Sequence, residues 1–220
     1  WTGESTEEVF YELCDEYGML VMNDFWLSTD GFNLNPLDYR LFIRNVTETV
    51  RRFRNHPSIA LWCARNEGFA PNELEYMLAA TLAKEDRSRH YTGNSRSLNS
   101  SGSGPWRYQY DAGWYYRSLA GGFRSEVGTP SLPTAETIRE FMAEEDTWPI
   151  SDVWYYHDWH NHRYGDKTFS ELYKEGMDRK LGPSDNLDDF CRKAQLINYE
   201  SHRAIFEAWN SKMWNDASGV

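Results

Sequence analysis

The chain has 220 residues, with 34 acidic side chains against 23 basic ones and a formal net charge of −11 at pH 7. That length suffices for one domain with a real core, and the acidic balance, with no basic stripe, argues against a phosphate-backbone partner such as nucleic acid. No apolar run approaches the roughly 18 residues needed to cross a bilayer, so no membrane partner is expected.

The first predicted element is a helix. Ser5 and Glu8 have capping-box spacing, Val9, Phe10, Leu13 and Cys14 follow at helical intervals, and Gly18 ends the pattern. A short apolar run, Met19-Leu20-Val21-Met22, then reads as a strand that delivers Asn23-Asp24-Phe25-Trp26 at its carboxyl end. Asn35-Pro36 offers an N-cap and a first-turn proline, and Leu37, Leu41, Val46, Val50 and Phe53 mark the buried face of a second helix ending near Arg54. Ile59-Ala60-Leu61-Trp62-Cys63 is the next strand, followed by Ala64-Arg65-Asn66-Glu67. Asn72 with Glu75 caps a third helix whose Leu74, Met77, Leu78 and Leu82 face inward, and His90-Tyr91-Thr92-Gly93-Asn94 is a weaker strand.

From Ser95 to Gly122 the rhythm breaks. Asn99-Ser100-Ser101-Gly102-Ser103-Gly104-Pro105 has loop composition, and Trp106 to Tyr116 is aromatic without a period. Gly122-Phe123-Arg124-Ser125-Glu126-Val127-Gly128 again places an acid just past a strand-like run. Helical periodicity resumes at Thr134, with Ile138, Phe141 and Met142 on one face. Asn186 then caps a long helix that buries Leu187, Phe190, Ala194, Ile197, Ile205 and Ala208, and Gly219-Val220 opens a further strand. Helix and strand alternate without a tight hairpin signal in the first half, which predicts parallel strands joined by helices.

In such folds the carboxyl ends of the strands are where reactive groups collect. Glu67 and Glu126 both stand there, and a pair of carboxylates on one rim suggests glycoside hydrolysis. The aromatic content, 10 Trp, 14 Tyr and 11 Phe, fits rings that fill a core and rings that stack on sugars. Cys14, Cys63 and Cys191 lie in apolar stretches without metal-ligand spacing and read as buried thiols. His157, Asp158, His160 and His162 cluster, but without the i, i+4 spacing that aims two imidazoles at one ion, so no metal is expected. Arg44, Arg51, Arg52 and Arg54 read as a solvated helix face near Glu48. Asn45-Val46-Thr47 and Asn99-Ser100-Ser101 match the glycosylation tripeptide, which is common by chance.

Phe10-Tyr11-Glu12-Leu13-Cys14-Asp15-Glu16-Tyr17-Gly18-Met19-Leu20-Val21 and Arg54-Asn55-His56-Pro57-Ser58-Ile59-Ala60-Leu61-Trp62 resemble the catalytic barrel of family 2 glycoside hydrolases. Asn66-Glu67 matches that family's acid/base motif, and Phe123-Arg124-Ser125-Glu126-Val127-Gly128 is similar to the segment holding its nucleophile. Asn186 to Leu196 and Phe206-Glu207-Ala208-Trp209 resemble the branch of exo-β-glucosaminidases and plant-type endo-β-mannosidases. The resemblance implies an α/β fold, a (β/α)8 TIM barrel that is incomplete. It runs from just after the second barrel strand to the start of the eighth, with residues 1–220 as one partial catalytic domain flanked by β-sandwich domains in the parent chain.

It also implies roles. Glu126 would attack the anomeric carbon, Glu67 would act as acid/base with retention of configuration, and no cofactor would be needed. Asn66 would hydrogen-bond the sugar 2-hydroxyl, while Asp24, Trp26, Trp106, Tyr108, Tyr110, Trp154 and His157 would contact the carbohydrate from rim loops. Tyr108 or Tyr110 is also a candidate to hydrogen-bond the nucleophile. Glucosaminidases of the branch tend to use an aspartate as acid/base and to place an acid for the substrate amine just after the strand carrying Asn23 and Asp24. Glu67 and Trp26 stand at those places here, which favours a neutral β-mannoside over a β-glucosaminide, although Asp24 or Asp30 would be available to an ammonium. Two other readings differ in class. A barrel that only binds carbohydrate would be expected to lose one of the two glutamates, and a nucleotide-binding α/β domain would need a glycine-rich loop leading into a helix, which Gly102-Ser103-Gly104-Pro105 does not do.

Overall fold

The structure is a computed structural model, and it describes residues 6–28, 35–97, 100–159 and 163–220. The chain divides into two compact units, one of residues 1–103 with 123–126 and the other of residues 104–122 with 127–220. The first is built around one buried cluster and the second around two.

The first unit alternates helix and strand: α1 (Glu8–Tyr17), β1 (Val21–Asp24), α2 (Tyr39–Phe53), β2 (Ile59–Cys63), α3 (Asn72–Glu85) and β3 (His90–Thr92). The strands pair in the order β1-β2-β3 and both pairings are parallel, Asn23 opposite Trp62 and Trp62 opposite Tyr91. Parallel neighbours require crossovers, and α2 and α3 supply them. Val46, Val50 and Phe53 of α2 and Leu74, Leu78 and Leu82 of α3 pack with Ile59 and Trp62 into one core. The indole N–H of Trp62 donates to Asp86 just past α3, at 2.9 Å.

The structure moves several helix boundaries. Ser5 lies outside the described residues, and α1 starts at Glu8 with Glu7 as an N-cap whose side chain makes no capping bond. The buried face of α1 is Tyr11 and Cys14, while Val9, Phe10 and Leu13, expected inside, are about half exposed. Tyr11 is drawn inward because its hydroxyl donates to Asn23 of β1. Gly18 closes the helix in the left-handed region at φ 67°. The strand that follows begins at Val21, leaving Met19 and Leu20 exposed.

The cap of α2 is Asp38, whose carboxylate accepts from the Leu41 N–H at 3.0 Å, so Asn35-Pro36 lies ahead of the helix. This later start turns Leu37 and Leu41 outward and makes Phe42 the first buried position. The N-cap of α3 is Pro71, and Asn72 is its first residue. Glu75 accepts from the Tyr91 hydroxyl at 2.8 Å and caps nothing. Two basic residues of α2 are ion-paired, Arg51 with Glu48 and Glu85, and Arg52 with Glu8.

The second unit contains a π-helical turn (Tyr115–Leu119) in the stretch where no helix is predicted. It continues with α4 (Ala135–Phe141), α5 (Glu144–Thr147), α6 (Asp152–Tyr156), α7 (Phe169–Leu181) and α8 (Leu187–Lys212). Between α6 and α7 lies an antiparallel hairpin, Arg163–Tyr164 against Lys167–Thr168, turned at Gly165 with φ 64°. It is not among the elements expected from the sequence. Thr134, where periodicity is expected to resume, is the N-cap of α4; the expected N-cap Asn186 is present, and every expected inward residue of α8 is buried. On α4, Ile138 is buried but Phe141 is about half exposed, so the inward face continues to Met142. All three cysteines are free and buried, and no helix among the described residues is long and apolar enough to cross a membrane.

Candidate active site

The site is assembled in the first unit, where the chain leaves the carboxyl ends of the three parallel strands. The ladder continues past the strands proper. The Asn66 N–H donates to the Leu27 carbonyl at 3.0 Å, the Ala64 N–H to Thr92 at 2.9 Å, and the Ser95 N–H to Arg65 at 3.0 Å. Arg65, 1 % exposed, donates from its guanidinium to the carbonyls of Ser28 and Phe69 and to the Asn35 side chain. A buried charge needs such partners, and here they hold the segment that carries Asn66 and Glu67.

Glu67 adopts φ 48°, in the left-handed region that a residue with a Cβ seldom occupies. That bend turns its backbone N–H onto the hydroxyl oxygen of Ser95, at 2.9 Å. The same Ser95 hydroxyl donates to the Glu126 carboxylate at 3.0 Å, with the Asn66 side-chain oxygen farther off at 3.4 Å. Ser95 is 1 % exposed and Asn66 4 %. One buried hydroxyl therefore links the backbone of Glu67 to the side chain of Glu126. The carboxyl of Glu67 in turn accepts from the hydroxyl of Ser103.

Glu126 lies three residues past β4 (Gly122–Phe123), which is shorter than the expected run. The Ser125 hydroxyl fastens it by donating to the Ser95 carbonyl. Burial pushes the Glu126 carboxyl above the ordinary glutamate range, the bond from Ser95 opposes the rise, and the negative charges of Glu67 and Asp24 add to it. Asp24, at the end of β1, is pushed up to about 6, chiefly by burial. Its Oδ1 is buried without a hydrogen-bond partner among the described residues. Cys63 lies opposite Asp24 in the ladder, and burial together with the Asp24 charge drives its thiol upward, keeping it protonated.

Trp26 is half-buried and packs edge-on against Phe42, with ring centres 5.8 Å apart. The remaining expected contacts fall in the second unit. Trp106 and Tyr110 keep exposed rings, and Arg179 lies over the face of Tyr110 at 4.5 Å. Tyr108 is buried edge-on against Tyr173 and beside Gly176. Trp154, expected in a rim loop, stands in α6 at 3 % exposure and packs on Trp159 and Phe190, its indole N–H donating to the Asp146 carbonyl. Core packing is what its surroundings provide. His157 is exposed beside Phe141. His160, His162, Asp30 and Asn99 lie outside the described residues, among which no group of three His, Cys, Asp or Glu side chains is placed to hold a metal.

Ser95 and Ser103 are not among the residues that the sequence points to. Ser95 carried one usable signal, its place just after β3, equivalent to that of Glu67 after β2. Ser103 carried none beyond its glycine neighbours.

Comparison with known proteins bears on the whole chain. The family model described as glycosyl hydrolases family 2, TIM barrel domain, matches residues 5–175. The chain is 30 % identical to a mannosylglycoprotein endo-β-mannosidase of Lilium longiflorum, over 100 % of its own length and 28 % of the relative's. It is also 30 % identical to an exo-β-D-glucosaminidase of Streptomyces avermitilis, over 94 % of itself and 25 % of the relative. Among solved structures, a β-D-mannosidase from Dictyoglomus thermophilum superposes with a TM-score of 0.76 at 23 % identity, covering all of this chain and 30 % of the other. The Amycolatopsis orientalis exo-chitosanase CsxA gives 0.77 at 22 %, again over the whole chain and 29 % of the solved one. The fold is therefore that of part of a TIM barrel, the expected incomplete barrel, and the chain spans less than a third of the length of these relatives. With more than half of its residues matched by the family model, the chain belongs to the family 2 glycosyl hydrolases, within their TIM barrel domain.

Proposed function

We propose that this chain is the catalytic part of a longer retaining β-glycosidase, with Glu126 as nucleophile and Glu67 as acid/base. The observation that carries the reading is the Ser95 hydroxyl, bonded on one side to the Glu67 backbone and on the other to the Glu126 carboxylate. It brings together two acids that are far apart in sequence, beside the ends of parallel strands, and retaining chemistry needs carboxyl groups about 5 to 5.5 Å apart.

In this reading Glu126 attacks the anomeric carbon as Glu67 protonates the departing oxygen, giving a glycosyl ester on Glu126. Glu67 then takes a proton from the water that hydrolyses the ester. The bond from Ser95 favours the ionised Glu126 carboxylate, against the burial that favours the neutral form. Asn66 would donate to the sugar 2-hydroxyl, a contact that strengthens as the ring flattens. Trp26 is the candidate stacking surface beside these acids in the first unit.

A β-mannoside is the substrate this reading favours, because Glu67 is a glutamate and Trp26 stands where the glucosaminidases place an acid. A second reading, release of glucosamine from chitosan oligomers, is favoured by Asp24, whose buried and unpartnered oxygen would suit an ammonium. Flanking domains would complete the protein in either case. The test compares sugar release by the whole protein from a β-mannosyl-N-acetylglucosamine oligosaccharide and from chitosan oligomers, with Glu126→Gln alongside. Mannose release that falls on the order of 10⁴-fold in the variant supports the first reading. Glucosamine release supports the second, and no turnover of either substrate would contradict both.

A further inference from the structure

Ser103 makes a contact that the mechanism above leaves unused. It stands in Ser100-Ser101-Gly102-Ser103-Gly104, between two glycines whose φ values of 108° and 73° lie where side chains are strained. The loop is fastened to the segment leading to Glu126. The backbone N–H and the hydroxyl of Ser101 both donate to the Phe123 carbonyl, at 2.6 and 3.0 Å. Arg124 donates to the Ser101 carbonyl at 3.1 Å and to the Ser103 carbonyl at 3.4 Å. The Ser100 hydroxyl donates to the Ser95 carbonyl at 3.1 Å. From this frame the Ser103 hydroxyl donates to Oε1 of Glu67.

We infer that Ser103 is a positioning residue for the acid/base Glu67, fixing which carboxyl oxygen carries the proton. The inference rests on the glycosidase reading. A serine hydroxyl has one proton to donate, and Ser103 spends it on Oε1. While Ser103 donates to Oε1, a protonated Glu67 carries its own proton on Oε2, the oxygen this inference assigns to the glycosidic bond. When Glu67 is ionised, the same bond keeps the carboxylate from rotating, so the water proton returns to Oε2 in the second step. The anchors on Phe123 and Arg124 tie this arrangement to the chain that carries Glu126, and the two steps share one frame.

A misplaced acid hurts only where the leaving group needs its proton, which gives a test that loss of folding or of binding cannot imitate. In the whole protein, Ser103→Ala, Ser103→Thr and Glu67→Gln are compared with the parent on a phenyl and a dinitrophenyl β-glycoside of the sugar the parent cleaves. The expected result is a fall in kcat/KM of about tenfold for Ser103→Ala on the phenyl substrate. On the dinitrophenyl substrate the change stays within about twofold, and Ser103→Thr restores most of the loss. Equal losses on the two substrates, or none, with Glu67→Gln selective for the phenyl glycoside, overturn the inference and leave the glycosidase reading standing. A Glu67→Gln variant without selectivity overturns both.

Discussion

At the scale of single residues, the site is a set of acids held by hydroxyls. The bond from Ser95 works against the burial that raises Glu126. Ser95→Ala removes it, the Glu126 carboxyl rises further, and the acidic limb of the pH profile of kcat/KM is expected to move to higher pH. A limb that stays in place or moves down would separate Ser95 from Glu126. Asp24 gives a stability prediction of definite sign. Its carboxyl, raised to about 6 in the folded chain, binds its proton more tightly there than in the unfolded chain. Stability falls as pH rises from about 4 toward 6 and stays low above that. The cost at neutral pH is on the order of 3 kcal/mol, and Asp24→Asn removes it. Thermal unfolding should show the variant ahead of the parent at pH 7, with the gain shrinking toward pH 4. A gain independent of pH would mean that the charge is not the cause. Glu67 and Glu126 were legible in sequence because each is a lone acid just beyond an apolar run. Ser95 and Ser103 were not, since the reach of a hydroxyl across about thirty residues leaves no periodic trace.

At the scale of elements, strands and long helices could be read from sequence where local signals and burial agree. β2 spans the predicted residues, and α8 keeps its cap and its buried face. The misses have local causes. Asp38 outcompetes Asn35 as a cap because its carboxylate reaches the Leu41 N–H, and that shift alone turns Leu37 and Leu41 to the surface. The hairpin at Gly165 was missed because its strands have two residues each, too few for alternation to show. Tyr108 and Trp154 were expected on a rim because aromatics between helices suit sugars, yet both pack within the second unit. Gly176 of α7 tests the packing of Tyr108, since a Cβ there would stand 2.4 Å from a ring carbon of that tyrosine. Gly176→Ala should destabilise the whole protein in chemical denaturation by about 1–3 kcal/mol, despite the better helix propensity of alanine, worth up to about 1 kcal/mol. Unchanged or raised stability would show that Tyr108 is free to move.

At the scale of the whole molecule, α1 and the turn into β1 expose Val9, Phe10, Leu13, Tyr17, Met19 and Leu20 together. The three parallel strands also lack neighbours on either edge among the described residues. Parallel sheets are ordinarily covered on both faces and closed or protected at their edges, so the 220-residue chain made alone is expected to aggregate or melt broadly and to turn over no substrate. A single sharp, cooperative melt of that chain would refute this. The central claim is that Glu126 forms the covalent bond to sugar. It is tested most directly by incubating the whole protein with a fluoro-sugar β-mannosyl fluoride, which forms the glycosyl ester faster than it is hydrolysed, and mapping the label by peptide mass spectrometry. The account predicts one sugar per chain, on the peptide holding Glu126, and none in Glu126→Gln; an active protein labelled on another residue would contradict it.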